Sequence, residues 1–287
     1  MLVQIKKKAP LVHCMTNYVV ANFTANGLLA VGASPIMADE VKEVSEIVSI
    51  AQALLINIGT VNDRTAEAML LAGKKANELS IPIVLDPVGV GSTSYRKQLV
   101  KHLLKKIQFD LIRCNAGELA AIAGEVWQSK GVDSGTGEID IAKIAKRVAL
   151  QYTCLVIVTG ESDFITDGHE EIHISGGKEI ATHITGTGCL LSDICAASLA
   201  SSGMGMNPMQ SLAATLKDYK QAAEQSTNEV GTFALQFMNT LQKISGLRDD
   251  CTNNSWIRFR WRCWNSSGYK NISRTGCIWN NSSNSIN

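Results

Sequence analysis

The chain has 287 residues, enough for one large or two small domains, and its 45% hydrophobic and 18% charged content exclude a disordered polymer. A formal net charge of +1 gives no global attraction to nucleic acid or to an anionic membrane surface. The opening MLVQIKKKAP has no apolar stretch behind its lysines, no run of about 18 apolar residues occurs, and the eight cysteines contain no C-x-x-C pair. The expectation is a cytoplasmic protein with reduced thiols and no membrane span.

Along the chain, residues 53–59 (ALLINIG), 81–86 (IPIVLD), 109–115 (FDLIRCN) and 154–160 (CLVIVTG) are short apolar runs closed by turn signals. Such runs predict strands buried on both faces of a parallel sheet. Between them, 63–79, 94–107 and 139–151 carry apolar residues at three- and four-residue spacing, which predicts helices. Strand, helix and strand in alternation predict a three-layer α/β/α fold around a mostly parallel sheet.

Residues 163–175 (DFITDGHEEIHIS) alternate around Asp167-Gly168 and predict a hairpin. Within them His169 to His173 spells the zinc protease pattern H-E-x-x-H, which requires a helix. In a strand the two imidazoles lie ~13 Å apart and cannot share a metal ion. The segment 185–188 (TGTG) opens a predicted small-residue helix over 189–202, and two more helices follow over 208–228 and 232–244. From about residue 247 the chain is rich in Asn and Ser, holds four of the five tryptophans and shows neither period. The expected organisation is one domain over 1–246, with an anomalous tail over 247–287 that is not a functional module.

The chemistry-bearing residues gather where strands end. In an open parallel sheet, ligands bind beyond the carboxyl ends of the strands. Asp86 closes one predicted strand, Asn115 and Glu118 follow the next, Thr159-Gly160 closes a third, and Gly186, Thr187 and Gly188 open a helix. Free amides at a helix start, with glycines that admit close approach, suit a phosphate, although a plain loop before a core helix has the same composition. Asp86 and Glu118 suit magnesium, which takes few protein oxygens and shares nucleotide phosphates. Taken singly, each is equally well a turn acid or a helix-start acid. Cys189 sits at the helix start, where a lowered thiol pKa would allow it to act as a base or hydrogen-bond acceptor; a small buried thiol is the plainer reading. Neither a P-loop nor G-x-G-x-x-G is present.

In order, 12–17 (VHCMTN), 22–26 (NFTAN), 32–37 (GASPIM), 86–89 (DPVG), 115–118 (N-x-x-E), 158–160 (VTG) and 185–189 (TGTGC) resemble the hydroxyethylthiazole kinase family of the ribokinase-like superfamily, from about Pro10 to Ile244. The resemblance implies transfer of the ATP γ-phosphate to the primary alcohol of 4-methyl-5-(2-hydroxyethyl)thiazole, a salvage step toward thiamine. It implies magnesium organised by Asp86 and, through water, Glu118. By the same resemblance, Arg113, Asn115, Thr159 and Gly160 would fall on the nucleotide side, and Gly186, Thr187 and Gly188 would hold the transferring phosphate. Cys189 stands where relatives in the wider superfamily carry an Asp base. The resemblance further implies that Met37, Asn17 and Gly186 line the thiazole pocket, and that the assembly is a homotrimer with sites between subunits. At 229–233 the chain reads EVGTF, a departure from the family's G-P-G-T/S-F. The competing readings are a hydroxymethylpyrimidine or pyridoxal kinase, an NAD(P)H-hydrate dehydratase, and a silent thiazole- or thiamine-binding protein.

Overall fold

The computed structural model describes residues 1–125, 140–203 and 205–246. The expected tail over 247–287 lies outside them. The chain runs α1 (Leu2–Lys8), β1 (Leu11–Met15), α2 (Ala21–Ala30), β2 (Ser34–Ile36), α3 (Val44–Ile50), β3 (Ala53–Asn57), α4 (Asp63–Glu78), β4 (Ile83–Asp86), α5 (Ser94–Lys106), β5 (Leu111–Asn115) and α6 (Ala116–Ala123). It continues through α7 (Ile141–Tyr152), β6 (Leu155–Thr159), β7 (Asp163–Thr166), β8 (Glu171–Ile174), a 3-10 turn at Glu179–His183, α8 (Thr187–Ser201), α9 (Pro208–Glu224) and α10 (Val230–Ile244).

The eight strands form one sheet in the order β2-β1-β3-β4-β5-β6-β7-β8. The first six are parallel, and β7 and β8 add an antiparallel hairpin at one edge. The four predicted inner strands are therefore correct. Every residue of β3 and β4 is buried, as continuous apolar runs require when helices cover both faces. One core packs α1, α2, α8, α9 and α10 against the sheet; the other packs α3 to α7 against the opposite face. The expected three layers are the observed ones.

The H-E-E-I-H segment is not helical. His169 lies in the turn after β7 and His173 in β8, while Asp167 Oδ1 accepts from the amides of His169 and Glu170 to close the hairpin. Two strands and four helices escape the pattern-based reading: β1, β2, α1, α2, α3 and α6. The apolar run of β1 is broken by fully buried His13, whose Nε2 meets the Ala38 carbonyl at 2.8 Å. β2 is only three residues long. In α1 the lysines occupy the last turn, where the helix dipole favours them, and Leu2 and Ile5 are fully buried.

The order 2-1-3 reverses direction at β1, and the carboxyl ends of β1, β3, β4, β5 and β6 open on the same side. α8 starts above them and packs on β1, β3 and β4.

Candidate active site

Asp86, the last residue of β4, is fully buried. Its Oδ2 accepts a 2.7 Å hydrogen bond from Asn57 Nδ2, the residue in register with it at the end of β3. Asn57 Oδ1 accepts from Asn17 Nδ2 at 3.1 Å, and the same Nδ2 donates to Cys189 Sγ at 3.5 Å. A polar chain thus crosses from β4 over β3 and β1 to the first turn of α8. The other carboxylate oxygen, Asp86 Oδ1, has no hydrogen-bond partner and faces Arg113 Nη1 at 3.8 Å. Arg113 rises from β5, and its Nη2 donates to Thr159 Oγ1 on β6 at 2.7 Å.

Burial pushes the Asp86 carboxyl up to about 6; the Arg113 guanidinium opposes this, and the Glu118 charge adds to it. Cys189 corrects the sequence expectation. Its thiol is pushed up to about 12 rather than lowered, chiefly by burial and next by the Asp86 charge. Asn57, Arg113 and Asn17 oppose the rise by less, so the neutral thiol is the favoured form.

Gly186 caps α8 at φ 99°, a left-handed conformation that glycine adopts freely, and a Cβ there would meet Phe23 Cδ1 and Val20 Cγ1 at 3.0 Å. At Gly188 a Cβ would lie 2.8 Å from Arg113 Nη1, so only glycine lets the guanidinium rest against the helix start. No side chain caps this 15-residue helix, so its first amides have no side-chain partner, the arrangement that suits an anion. Thr187 contributes its backbone only, because its hydroxyl is committed to the carbonyls of Ala181 and Ile184 at 2.9 and 3.2 Å.

Glu118 and Asn115 form the capping box of α6. Asn115 Oδ1 accepts from the Glu118 amide at 2.8 Å, and Glu118 Oε2 accepts from the Asn115 amide at 2.9 Å. Glu118 Oε1 accepts from the Gly89 amide at 2.9 Å, so one carboxylate joins the 86–89 loop to the α6 start. The helix-start and strand-end readings of this acid are both correct. Gly160 donates its amide to Asp163 Oδ1 at 3.1 Å. Met37 stands apart from this group, 38% exposed and one residue beyond β2. Asn57 was missed in the sequence. The signal for it was a polar residue closing an apolar run at the same strand-end position as Asp86.

The residues fit a magnesium ion. Asp86 Oδ1 is a buried carboxylate oxygen without a partner, and each Glu118 oxygen, with one backbone donor, keeps accepting capacity. Among the described residues no three or more His, Cys, Asp or Glu side chains converge as an all-protein cage. Magnesium does not need one, since it keeps several waters.

A ribokinase-like superfamily protein from Enterococcus faecalis V583 matches with a TM-score of 0.59 at 10% identity, over 84% of this chain and 89% of that one. That likeness concerns the fold and defines the class: a ribokinase-like α/β/α protein. The sequence model of the hydroxyethylthiazole kinase family matches residues 2–246. A hydroxyethylthiazole kinase of Lysinibacillus sphaericus (strain C3-41) is 58% identical over 244 residues, 84% of this chain and 94% of that one. The structure of hydroxyethylthiazole kinase protein from Pyrococcus horikoshii OT3 is similar with a TM-score of 0.74 and 33% identity, over 84% of this chain and 91% of that one. The chain belongs to the hydroxyethylthiazole kinase family and is an enzyme of it. Among the described residues no helix is long and apolar enough to cross a membrane.

Proposed function

We propose that the chain phosphorylates the primary alcohol of 4-methyl-5-(2-hydroxyethyl)thiazole with ATP and magnesium, a cytoplasmic step of thiamine salvage. The observation that carries the chemistry is the unpartnered Asp86 Oδ1 beside Arg113, beneath the uncapped start of α8. The choice of acceptor rests on the family and on the name of the 58% identical relative.

Phosphoryl transfer asks mainly for alignment and for neutralisation of charge on the transferring oxygens. The amides of residues 186–188 and the Arg113 guanidinium supply donors aimed at that charge and need no reorganisation as it develops. Asp86, and Glu118 through water, would hold magnesium, which would supply charge neutralisation to the phosphates. Asn57 fixes Asp86 by its 2.7 Å hydrogen bond, so one oxygen stays free for this purpose. Arg113 and Thr159 bind the nucleotide side with the backbone of Asn115 and Gly160; Asn17 and Gly186 border the acceptor, and Met37, which stands apart within one chain, would do so from a neighbouring subunit. The Cys189 thiol, neutral at physiological pH, lies beside Asn17 and contributes contact rather than proton abstraction.

The assembly is read as a homotrimer with sites between subunits. Its support here is the loop after β1, where Tyr18 and Val19 are 62% and 72% exposed next to Asn17. Light scattering on the purified chain should give three times the chain mass; a monomer that turns over at the full rate would exclude shared sites.

The test of function is turnover of hydroxyethylthiazole, hydroxymethylpyrimidine and pyridoxal with ATP and magnesium, with the product identified by mass. Preferential formation of the thiazole monophosphate supports the reading. Preference for either other alcohol would reassign the acceptor within the same fold.

A further inference from the structure

We infer that Lys220 is a positioning residue for the nucleotide, acting through Asp163 on the turn that follows β6. The inference rests on the reading of Thr159 and Gly160 as nucleotide-facing. Lys220 lies on α9, which packs on α8, β7 and β8. Its ammonium has three donors and three partners: Asp163 Oδ1 at 3.3 Å, the Gly176 carbonyl at 3.0 Å and the Glu161 carbonyl at 3.3 Å. Both members of the pair are buried, whereas Gly160, Glu161 and Ser162 above them are exposed. The turn is therefore held from beneath and presents its rim to solvent at the carboxyl end of β6.

From this pair, contacts run without a gap into the site. Asp163 Oδ1 accepts from the Gly160 amide at 3.1 Å, and the preceding Thr159 hydroxyl takes Arg113, which faces Asp86. One helical turn beyond Lys220, Glu224 Oε1 accepts from the Gly177 amide at 2.8 Å, so α9 grips both ends of the hairpin. A buried ion pair is a poor device for stability alone, because desolvation offsets most of its attraction. What it supplies is fixed geometry. Lys220 also satisfies Asp163 electrostatically, which leaves the Arg113 guanidinium to Asp86 and the phosphate.

The test compares the full-length wild type with Lys220→Met and with Lys220→Met/Asp163→Asn. It uses calorimetric binding of ADP with magnesium and the separate KM values for ATP and hydroxyethylthiazole. Lys220→Met should weaken ADP binding and raise KM for ATP by about tenfold, with KM for the alcohol changed less than about twofold. The double variant removes the unpaired buried carboxylate, so it should recover thermal stability while ADP binding stays weak. A double variant that binds ADP as the wild type does overturns the inference. So does a parallel change in both KM values. Wild type that binds no ADP brings down the nucleotide reading and the inference with it. ADP binding without turnover of the thiazole counts against the acceptor alone.

Discussion

Asp86 concentrates two demands in one carboxylate: it must be ionised to serve a cation, and it is fully buried. Its pKa of about 6 against an ordinary 3.8 expresses that conflict. Activity that depends on the ionised form should fall as pH drops through 6, and the acid limb of kcat/KM is the observable. Stability runs the other way. Because the folded value is raised, the folded state binds a proton between pH 4 and 6 that the unfolded chain has released, so this group's contribution declines as pH rises through that window and is constant above it. For Cys189, a thiol held near 12 is not a base at neutral pH. Cys189→Ala should therefore lose well under the roughly 100-fold that removal of a working general base costs, measured as kcat with saturating ATP. Cys189→Asp, which introduces a carboxylate beside Asp86, should keep or raise kcat.

At the scale of elements, α8 carries an unusual burden. Asp193, one turn beyond Cys189, is fully buried, and its carboxyl oxygens have only the Cys14 thiol and the Thr24 hydroxyl nearby, neither at full hydrogen-bond geometry. Burial pushes this acid up to about 8; Cys14 and Thr24 oppose the rise, and the Asp86 charge adds to it. Its penalty should grow as pH rises from 4 to 8 and then level off, because the unfolded chain releases the proton first. Asp193→Asn should match wild type in melting temperature near pH 4 and exceed it at pH 9, by about 2–4 °C for each kcal/mol recovered. Nothing in the one-dimensional pattern announced this acid, since a helix hydrophobic all round hides a single polar member. By contrast β3 to β6 were legible because burial on both faces leaves unbroken apolar runs. β1 was not, because His13 satisfies only a tertiary partner, and Lys220 reads as a surface cation until α9 is docked. Strand-end residues could be read singly, but their register, Asn57 against Asp86 and Asn115 against Thr159, exists only in the sheet.

For the whole molecule, the family match closes at residue 246, and α10 completes the core on its face of the sheet with Phe233, Phe237 and Leu241 buried. The EVGTF departure still starts that helix, with Glu229 in the cap position and no side-chain cap bond. A chain ended at Gly246 should therefore turn over at the full-length rate, with both compared at equal active concentration; a large loss would assign the remaining residues a role. On the proposed function, Asp86, Arg113 and the start of α8 together carry out phosphoryl transfer to an alcohol. The most direct measurement is formation of the thiazole monophosphate by wild type and Asp86→Asn at pH 7.5, with saturating ATP, magnesium and hydroxyethylthiazole. Product is expected from the wild type, with a loss of about 100-fold or more in the variant, the scale on which removal of one preorganised electrostatic group acts. Equal turnover by the two proteins would contradict it.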